Sequence, residues 1–456
     1  MASIAAALSA IKSDALGCPG GAAFVNDCFA RAGHVWRDRV LDPAGTVALF
    51  VLQILHGNTA INHLRHLSGA AAGQLISASS YCEARARLPL AGVADLVEKV
   101  CGECRRCMES AAWLGRRVLM ADGTGTLTPD APALQAAWPQ SSEQKPGCGF
   151  PAIKLLGLLD LATGMIVHLT VMRLRVQEFS ELAGPHAALR GGDVLLADRG
   201  FCSFWHLAML AARAVDAVFR MHQRQIVDFT PGRACGGGAG QPRSRFIRRL
   251  GHEDQIVEWQ RPPARPAWMT AEQFAAMPAA LQVRELRYRI TARGYRTRVV
   301  TVATTLLDAT RYPKHEIARL YGLRWEIETD FRHLKTTLRM EHLKCQSADG
   351  VLKELMIYVL VYNLVRAAMT AAAARQRVAD ANRMSFIDAL RWLCARFAAG
   401  PDRTPAAEQP PTLIVNRPRP GRWCPRVKKK RMKEFELMTK PRANYAEPQP
   451  AAEDKS

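Results

Sequence analysis

The sequence predicts an α/β fold: a mixed sheet with helices on its faces, preceded by a helical region and interrupted by a β-rich insertion. Three observations predict it. Residues 1–112 carry Ala- and Leu-rich runs at helical spacing around 3–16, 45–56 and 91–110. From Arg117 the apolar period shortens, and the chain reads strand, two strands, helix, strand, helix, strand as far as Met221. Between residue 222 and about 306 the text turns Arg-rich and alternating, and a long helical pattern then opens near Pro313.

Composition bounds the function classes. With 456 residues and 48% hydrophobic content, the chain has material for two or three domains and is not globally disordered. Lys and Arg number 62 against 41 Asp and Glu, and the resulting +21 favours a polyanionic partner, nucleic acid first. A membrane surface is the competing partner. The best apolar run, Leu355 to Val365, is too short to span and is interrupted by Tyr358, Tyr362 and Asn363. The N-terminus lacks the basic start of a secretory signal and reads as mature sequence. Twelve cysteines without a regular framework suit reduced thiols of a cytoplasmic protein. Cys101, Cys104 and Cys107 have C-x2-C-x2-C spacing, but no fourth ligand follows closely, and the run VADLVEKVCGECRRCMES reads as a helix with one cysteine face.

The elements follow in order. In the helical region, Ser80 to Glu83 reads as a capping box opening a short helix that carries Arg85 and Arg87. This region fits a small domain that docks on DNA, or a packing domain without a ligand. In residues 113–221, Val118 to Ala121 is an apolar run ending in Asp122, followed by the loop GTGTLTPD. Ile153–Leu159 and Met165–Val171 read as a hairpin about Ala162, Thr163 and Gly164, and a helix runs from about Gln177 to Leu189. Asp193 to Asp198 repeats the earlier form, an apolar strand with an aspartate at its end. A helix over 203–213 and a strand from Ala217 to Met221 complete this part.

Carboxylates at the C-terminal ends of buried strands sit where open α/β sheets place their chemistry. Asp122 and Asp198 held side by side would be costly without a cation. Either one by itself also fits an ordinary turn or capping aspartate.

The insertion, 222–306, shows strands at Gln255–Gln260, Val283–Ile290 and Thr297–Leu306, with a flexible ACGGGAG loop at 234–240. Residues 307–376 bring two helices, one from Pro313 to about Leu338 and one from Gly350 to about Gln376. Residues 377–456 add a helix over 384–398, a Pro-rich linker, and a tail from Arg417 to Arg442 with eleven Lys/Arg against two Glu. Such a block reads as a phosphate-contacting extension or as a solvated tail.

Within the first of these helices lies YGLRWEIETDFRHLK, Tyr321 to Lys335. At about 100° per residue, Tyr321, Arg324, Glu328 and Lys335 share one narrow face. Beside them runs an apolar stripe of Leu320, Leu323, Ile327, Phe331, Leu334 and Leu338, while Glu326 and Asp330 point away. One carboxylate lined up with phosphate-binding groups suggests metal-assisted chemistry on a phosphodiester. An amphipathic surface helix with i,i+4 charge pairs shows the same pattern, and the helix by itself does not decide between them.

The spacing Tyr321-x2-Arg324-x3-Glu328-x6-Lys335 resembles the Tyr-Arg-Glu-Lys signature of DDE transposases from bacterial insertion sequences. LMADGTGT around Asp122 and DVLLADRGF around Asp198 resemble the two aspartate boxes of that family. NLVR at 363–366 and the basic PRVKKKR segment are also similar, so the likeness covers nearly the whole chain. The resemblance implies an RNase H-like catalytic domain with its β insertion between the second aspartate and the glutamate. By position, Asp122, Asp198 and Glu328 are the catalytic and metal-binding residues, for two Mg2+ ions that Mn2+ can replace. Tyr321, Arg324 and Lys335 are the DNA-phosphate contacts.

The implied reaction is cut-and-paste: nicking at the element end, hairpin formation, hairpin opening, and joining to target DNA. The implied partners are double-stranded DNA, as terminal inverted repeats and target, and a second copy of the chain in a paired-end complex. No membrane is involved, and the expected setting is bacterial cytoplasm at the nucleoid. Relatives that form hairpins hold a flipped base with an aromatic of the insertion. Here TRVVTVATTL has valines at 299 and 300, and Trp259, Trp268 and Tyr288 are the available aromatics. The competing functions are a non-catalytic DNA-binding derivative of such an element and a metal-dependent nuclease without strand transfer.

Overall fold

The computed structural model describes residues 21–37, 41–67, 77–107, 113–174, 183–222, 225, 227–236, 243–290, 299–398, 411–417 and 436–445. Among the described residues five helices come first: α1 (Gly21–Arg31), α2 (Pro43–Leu55), α3 (Ile61–Leu67), α4 (Ala78–Arg87) and α5 (Leu90–Cys107). The start of α2 is fixed by Asp42, whose Oδ1 accepts from the Gly45 amide at 2.7 Å, and by Pro43 in the first turn. Helix α4 does open on a capping box, but Ser77 is its cap and Ser80 its third helical residue, three positions earlier than the sequence suggested. Arg85 does not face outward. It is buried, lies over the rings of Phe50 and Tyr81, and donates to Gln53. On α5, Cys101 and Cys104 are buried in the core, and among the described residues no group of three or more metal-ligating side chains converges on one point.

Next come β1 (Val118–Leu127), α6 (Pro132–Ala137), β2 (Ala152–Asp160), β3 (Ile166–Arg173), α7 (Ala183–Ala187), β4 (Val194–Ala197), α8 (Phe204–Ala211) and β5 (Asp216–Arg220). Asp122 therefore lies inside a ten-residue strand and not at its end. Glycine and threonine composition suggested a loop after it, yet β2 pairs antiparallel with β1 all the way to Leu127, and that pairing overrides local propensity. Of the helix expected from 177 to 189, α7 covers five residues, and 175–182 fall outside the described residues.

The insertion supplies β6 (Ser244–Gly251), β7 (Asp254–Gln260), α9 (Ala271–Ala275), β8 (Ala280–Arg289) and β9 (Val299–Thr304). Strand β6 was not foreseen; its consecutive arginines hide the alternation. The nine strands among the described residues form one sheet in the order β3-β2-β1-β4-β5-β9-β8-β7-β6. Among the described strands, β1–β4 and β4–β5 are the parallel pairs. The inserted strands continue the sheet through β5–β9.

The chain then forms α10 (Lys314–Gly322), a 3-10 turn (Leu323–Trp325), α11 (Glu326–Arg332) and a π stretch (His333–Thr337), followed by α12 (Ala348–Arg375) and α13 (Phe386–Ala398). Side-chain alternation sorts the sheet into two faces. On one, Val118, Met120, Val194, Leu196 and Val218 join the core made with α1–α5 and α10–α13. On the other, Leu119, Ala121, Leu195, Ala197 and Phe219 pack on α8 and on Trp259 and Val283 of the insertion.

Helix α12 corrects the reading of its apolar run. It is 28 residues long and apolar enough to cross a membrane by length and composition, and 78% of its most apolar window is buried within the protein. Its polar residues are used internally. Lys353 Nζ donates to the carbonyls of Arg85, Ala86 and Leu88, which satisfies the C-terminal end of α4. The buried Glu354 carboxylate accepts from Asn58 and from the amides of Lys344 and Cys345.

Candidate active site

Strands β1 and β4 run parallel in the register Val118↔Val194 through Ala121↔Ala197. One further step along both chains reaches Asp122 and Asp198. By alternation both aspartates turn to the face that carries Met120 and Leu196, which is the face covered by the signature helix. Each is held by a neighbouring amide: Gly123 donates to Asp122 Oδ1 at 2.8 Å, and Gly200 donates to Asp198 Oδ1 at 2.8 Å.

The signature residues reach the same ground from above. Arg324 lies in the 3-10 turn and donates to Asp122 Oδ2 at 3.4 Å and to Glu328 Oε1 at 3.2 Å. Its guanidinium also lies over the rings of Trp325 and Tyr321, 5.3 and 6.0 Å from their centroids. Lys335, in the π stretch, donates to the Gly125 carbonyl at 2.8 Å, three residues along β1 from Asp122. The 3-10 turn overwinds relative to an α-helix and the π stretch underwinds, so the four side chains still face the sheet. Tyr321 is buried, with its hydroxyl pushed up to about 12 by burial; the charges of Arg324 and Arg220 oppose that rise and Asp198 adds to it.

Burial also pushes the Asp122 carboxyl up to about 6; the Gly123 amide and Arg324 oppose this, and the charges of Asp198 and Glu328 add to it. So the three carboxylates expected to act together feel one another. Their donors are all oxygen, the type a hard divalent cation takes, but as arranged, with Arg324 between two of them, they do not close on one point. Arg324 is the positive charge lying between Asp122 and Glu328.

Other expectations divide. Leu320, Ile327, Phe331, Leu334 and Leu338 are buried as the stripe requires, but Leu323 is 40% exposed because the 3-10 turn rotates it outward. Glu326 and Asp330 do point away from the site. Asp330 is buried 3.5 Å from Arg366, and burial raises its carboxyl, with Arg366 opposing. Trp259 is sealed in the core, where its Nε1 donates to Glu285 at 2.9 Å, so it cannot hold a base; Trp268 and Tyr288 are half-buried. The basic stretch 418–435, including Trp423, lies outside the described residues. Arg442, at the end of that tail, is spent on Asp130 and on the carbonyls of Gly147 and Gly149.

Sequence reasoning missed Arg220. Ala197 pairs with Phe219 across β4 and β5, so the next step sets Arg220 beside Asp198, on the face of Val218. Its charge is felt at both Tyr321 and Tyr288. The alternation of the strand Ala217–Met221 already held that signal.

Comparison with known proteins identifies the family. Residues 113–364, more than half of the chain, match the family described as the transposase DDE domain. The chain is 27% identical over 338 residues to the transposase InsG for insertion sequence element IS4 of Escherichia coli (strain K12), covering 72% of this chain and 70% of that protein. A cryo-EM structure of piggyBac transposase in a synaptic complex with hairpin DNA overlays with a TM-score of 0.44 at 11% identity, over 89% of this chain and 84% of that one. With the family match spanning more than half of its length, the chain belongs to the DDE transposase family, whose members act on DNA and depend on divalent metal.

Proposed function

We propose that this transposase binds the terminal inverted repeats of its element and cuts and joins DNA by a cut-and-paste route with a hairpin intermediate. The residues assigned to the chemistry are Asp122, Asp198 and Glu328, which would hold two Mg2+ ions, with Mn2+ able to substitute. The observation that carries this reading is Arg324 reaching both Asp122 and Glu328, with Asp198 next in register.

When bound, the ions supply an activated attacking oxygen and neutralise charge on the leaving one. The remaining work falls to side chains of this chain. The three carboxylates come from two neighbouring strands and one helix on one face of the sheet, with Arg324 between Asp122 and Glu328, so folding sets them near one another before DNA arrives. Arg324 balances two of them and is free to turn its fork to a phosphate once another cation takes over that task. Lys335 and Arg220 flank the carboxylates on opposite sides along the sheet face. Together with Tyr321 they hold the backbone of DNA on either side of the cut. The working unit is a homodimer pairing two element ends, and the setting is the bacterial nucleoid.

The test is incubation of the purified protein with Mg2+ and DNA carrying the inverted repeats that flank its gene, with products resolved on denaturing gels. Cutting at the repeat boundary with a hairpin band supports the full route. Cutting without a hairpin or joined product would make the protein a nuclease, and binding without cutting would make it an inactive DNA-binding derivative.

A further inference from the structure

Gly157 of β2 pairs directly across from Asp122. Alternation places it on the face of Leu155 and Leu159, beneath α11. The ring of Phe331 descends onto it: a Cβ at residue 157 would stand 2.8 Å from Phe331 Cζ, 3.1 Å from Phe331 Cε1 and 3.1 Å from Leu159 Cδ1. Contacts under 3.0 Å are essentially never made by a Cβ, so something would have to shift. Phe331 is 5% exposed, and in a close-packed interior its planar ring has nowhere to swing.

Phe331 follows Glu328 by three residues on the same helix, just under one turn. Asp330, beside it, is tied through Arg366 to the far end of the same hairpin. Arg366 stands 3.5 Å from Asp330, and its Nε donates to the Thr163 carbonyl at 2.7 Å. Two attachments therefore fasten α11 to the β2–β3 hairpin, and β2 is the partner of the strand that carries Asp122.

We propose that Gly157 and Phe331 form a positioning pair that sets the height of α11 over β1, and with it the separation of the Glu328 and Asp122 carboxylates. The proposal rests on the assignment of Asp122, Asp198 and Glu328 as the metal-binding residues. Residue 157 has to lack a side chain because the ring fills its place. Added bulk there lifts the helix and moves Glu328 away from its partners. Mg2+ and Mn2+ tolerate little change in oxygen placement, so the effect reads first in metal binding.

The experiment compares wild type, Gly157→Ala, Phe331→Leu, the double variant and Glu328→Gln. Mn2+ is the probe, followed by electron paramagnetic resonance of the free ion, with DNA cleavage measured alongside. Gly157→Ala is expected to weaken Mn2+ binding about tenfold or more and to slow cleavage on the order of 10²-fold, the size of a 1 Å misplacement. The double variant, with a smaller side chain over the new methyl group, recovers most of both. Phe331→Leu by itself leaves a gap above Gly157 and weakens Mn2+ binding, which keeps the idea testable if Gly157→Ala does not fold. Wild-type Mn2+ affinity in Gly157→Ala or in Phe331→Leu would overturn the proposal, as would a folded double variant no better than Gly157→Ala. Wild-type cleavage by Glu328→Gln would instead remove the carboxylate assignment beneath it.

Discussion

The guanidinium of Arg366 stands 3.5 Å from the carboxylate of Asp330, both sealed from solvent, and joins the longest helix to the one that bears Glu328. The same arginine donates to the Thr163 carbonyl. One turn earlier, Asn363 satisfies both backbone groups of Ile166 with its side-chain amide, donating to the carbonyl and accepting from the amide. NLVR at 363–366 is thus a clamp on the β2–β3 hairpin. Replacing Arg366 by Met strands the buried Asp330 charge, and the loss of stability should be about 3–5 kcal/mol. Urea unfolding measures it; a change under about 1 kcal/mol, the range of exposed pairs, would show that the pair is not sealed.

Arg220 gives a second prediction. On the proposed function its place beside Asp198 assigns it to a DNA phosphate, so Arg220→Gln should weaken binding of element-end DNA and slow cleavage. The slope of log affinity against log salt should fall by about one, as expected for one lost phosphate contact. Filter binding or anisotropy across a salt series reads this directly. An unchanged slope would make Arg220 a structural residue.

His186 and His206 predict how stability depends on pH. Their Nε2 atoms lie 3.0 Å apart in the core, and His206 Nδ1 is 3.0 Å from the Phe201 carbonyl. Burial holds both rings well below their ordinary pKa of 6.5; Arg213 adds to this at His186, and His186 adds to it at His206. The folded state therefore takes up fewer protons than the unfolded state once pH falls below 6.5. Their contribution is intact above that pH and is lost as pH falls below it. Replacing both by Gln should flatten the decline in melting temperature between pH 6.5 and 5, measured by thermal unfolding across that range.

Much of the site was legible because its residues sit at fixed steps along regular elements. Tyr321, Arg324, Glu328 and Lys335 announce themselves by helical spacing, and the strand before Asp198 by its apolar run. What stayed hidden depends on partners distant in sequence. Asp122 looked like a strand end because Gly123 and Gly125 suggest a loop, and only β2 keeps them in a strand. Arg85 read only as a basic residue on a short helix, and its enclosure by Phe50, Tyr81 and Gln53 depends largely on a different helix. Leu323 fitted the apolar stripe, but one turn of tighter helix put it in solvent. Gly157 carries no local signal at all, since its meaning comes from Phe331, far along the chain.

The most direct test of the central claim is cleavage of element-end DNA by Asp122→Ala, Asp198→Ala and Glu328→Ala, with binding measured on the same samples. All three should bind the DNA as wild type does and cut it with none of the Mg2+-dependent activity, because each removes one of three carboxylates that act as a unit. Any one of them still cutting at the repeat boundary at the wild-type rate would contradict the assignment of the site.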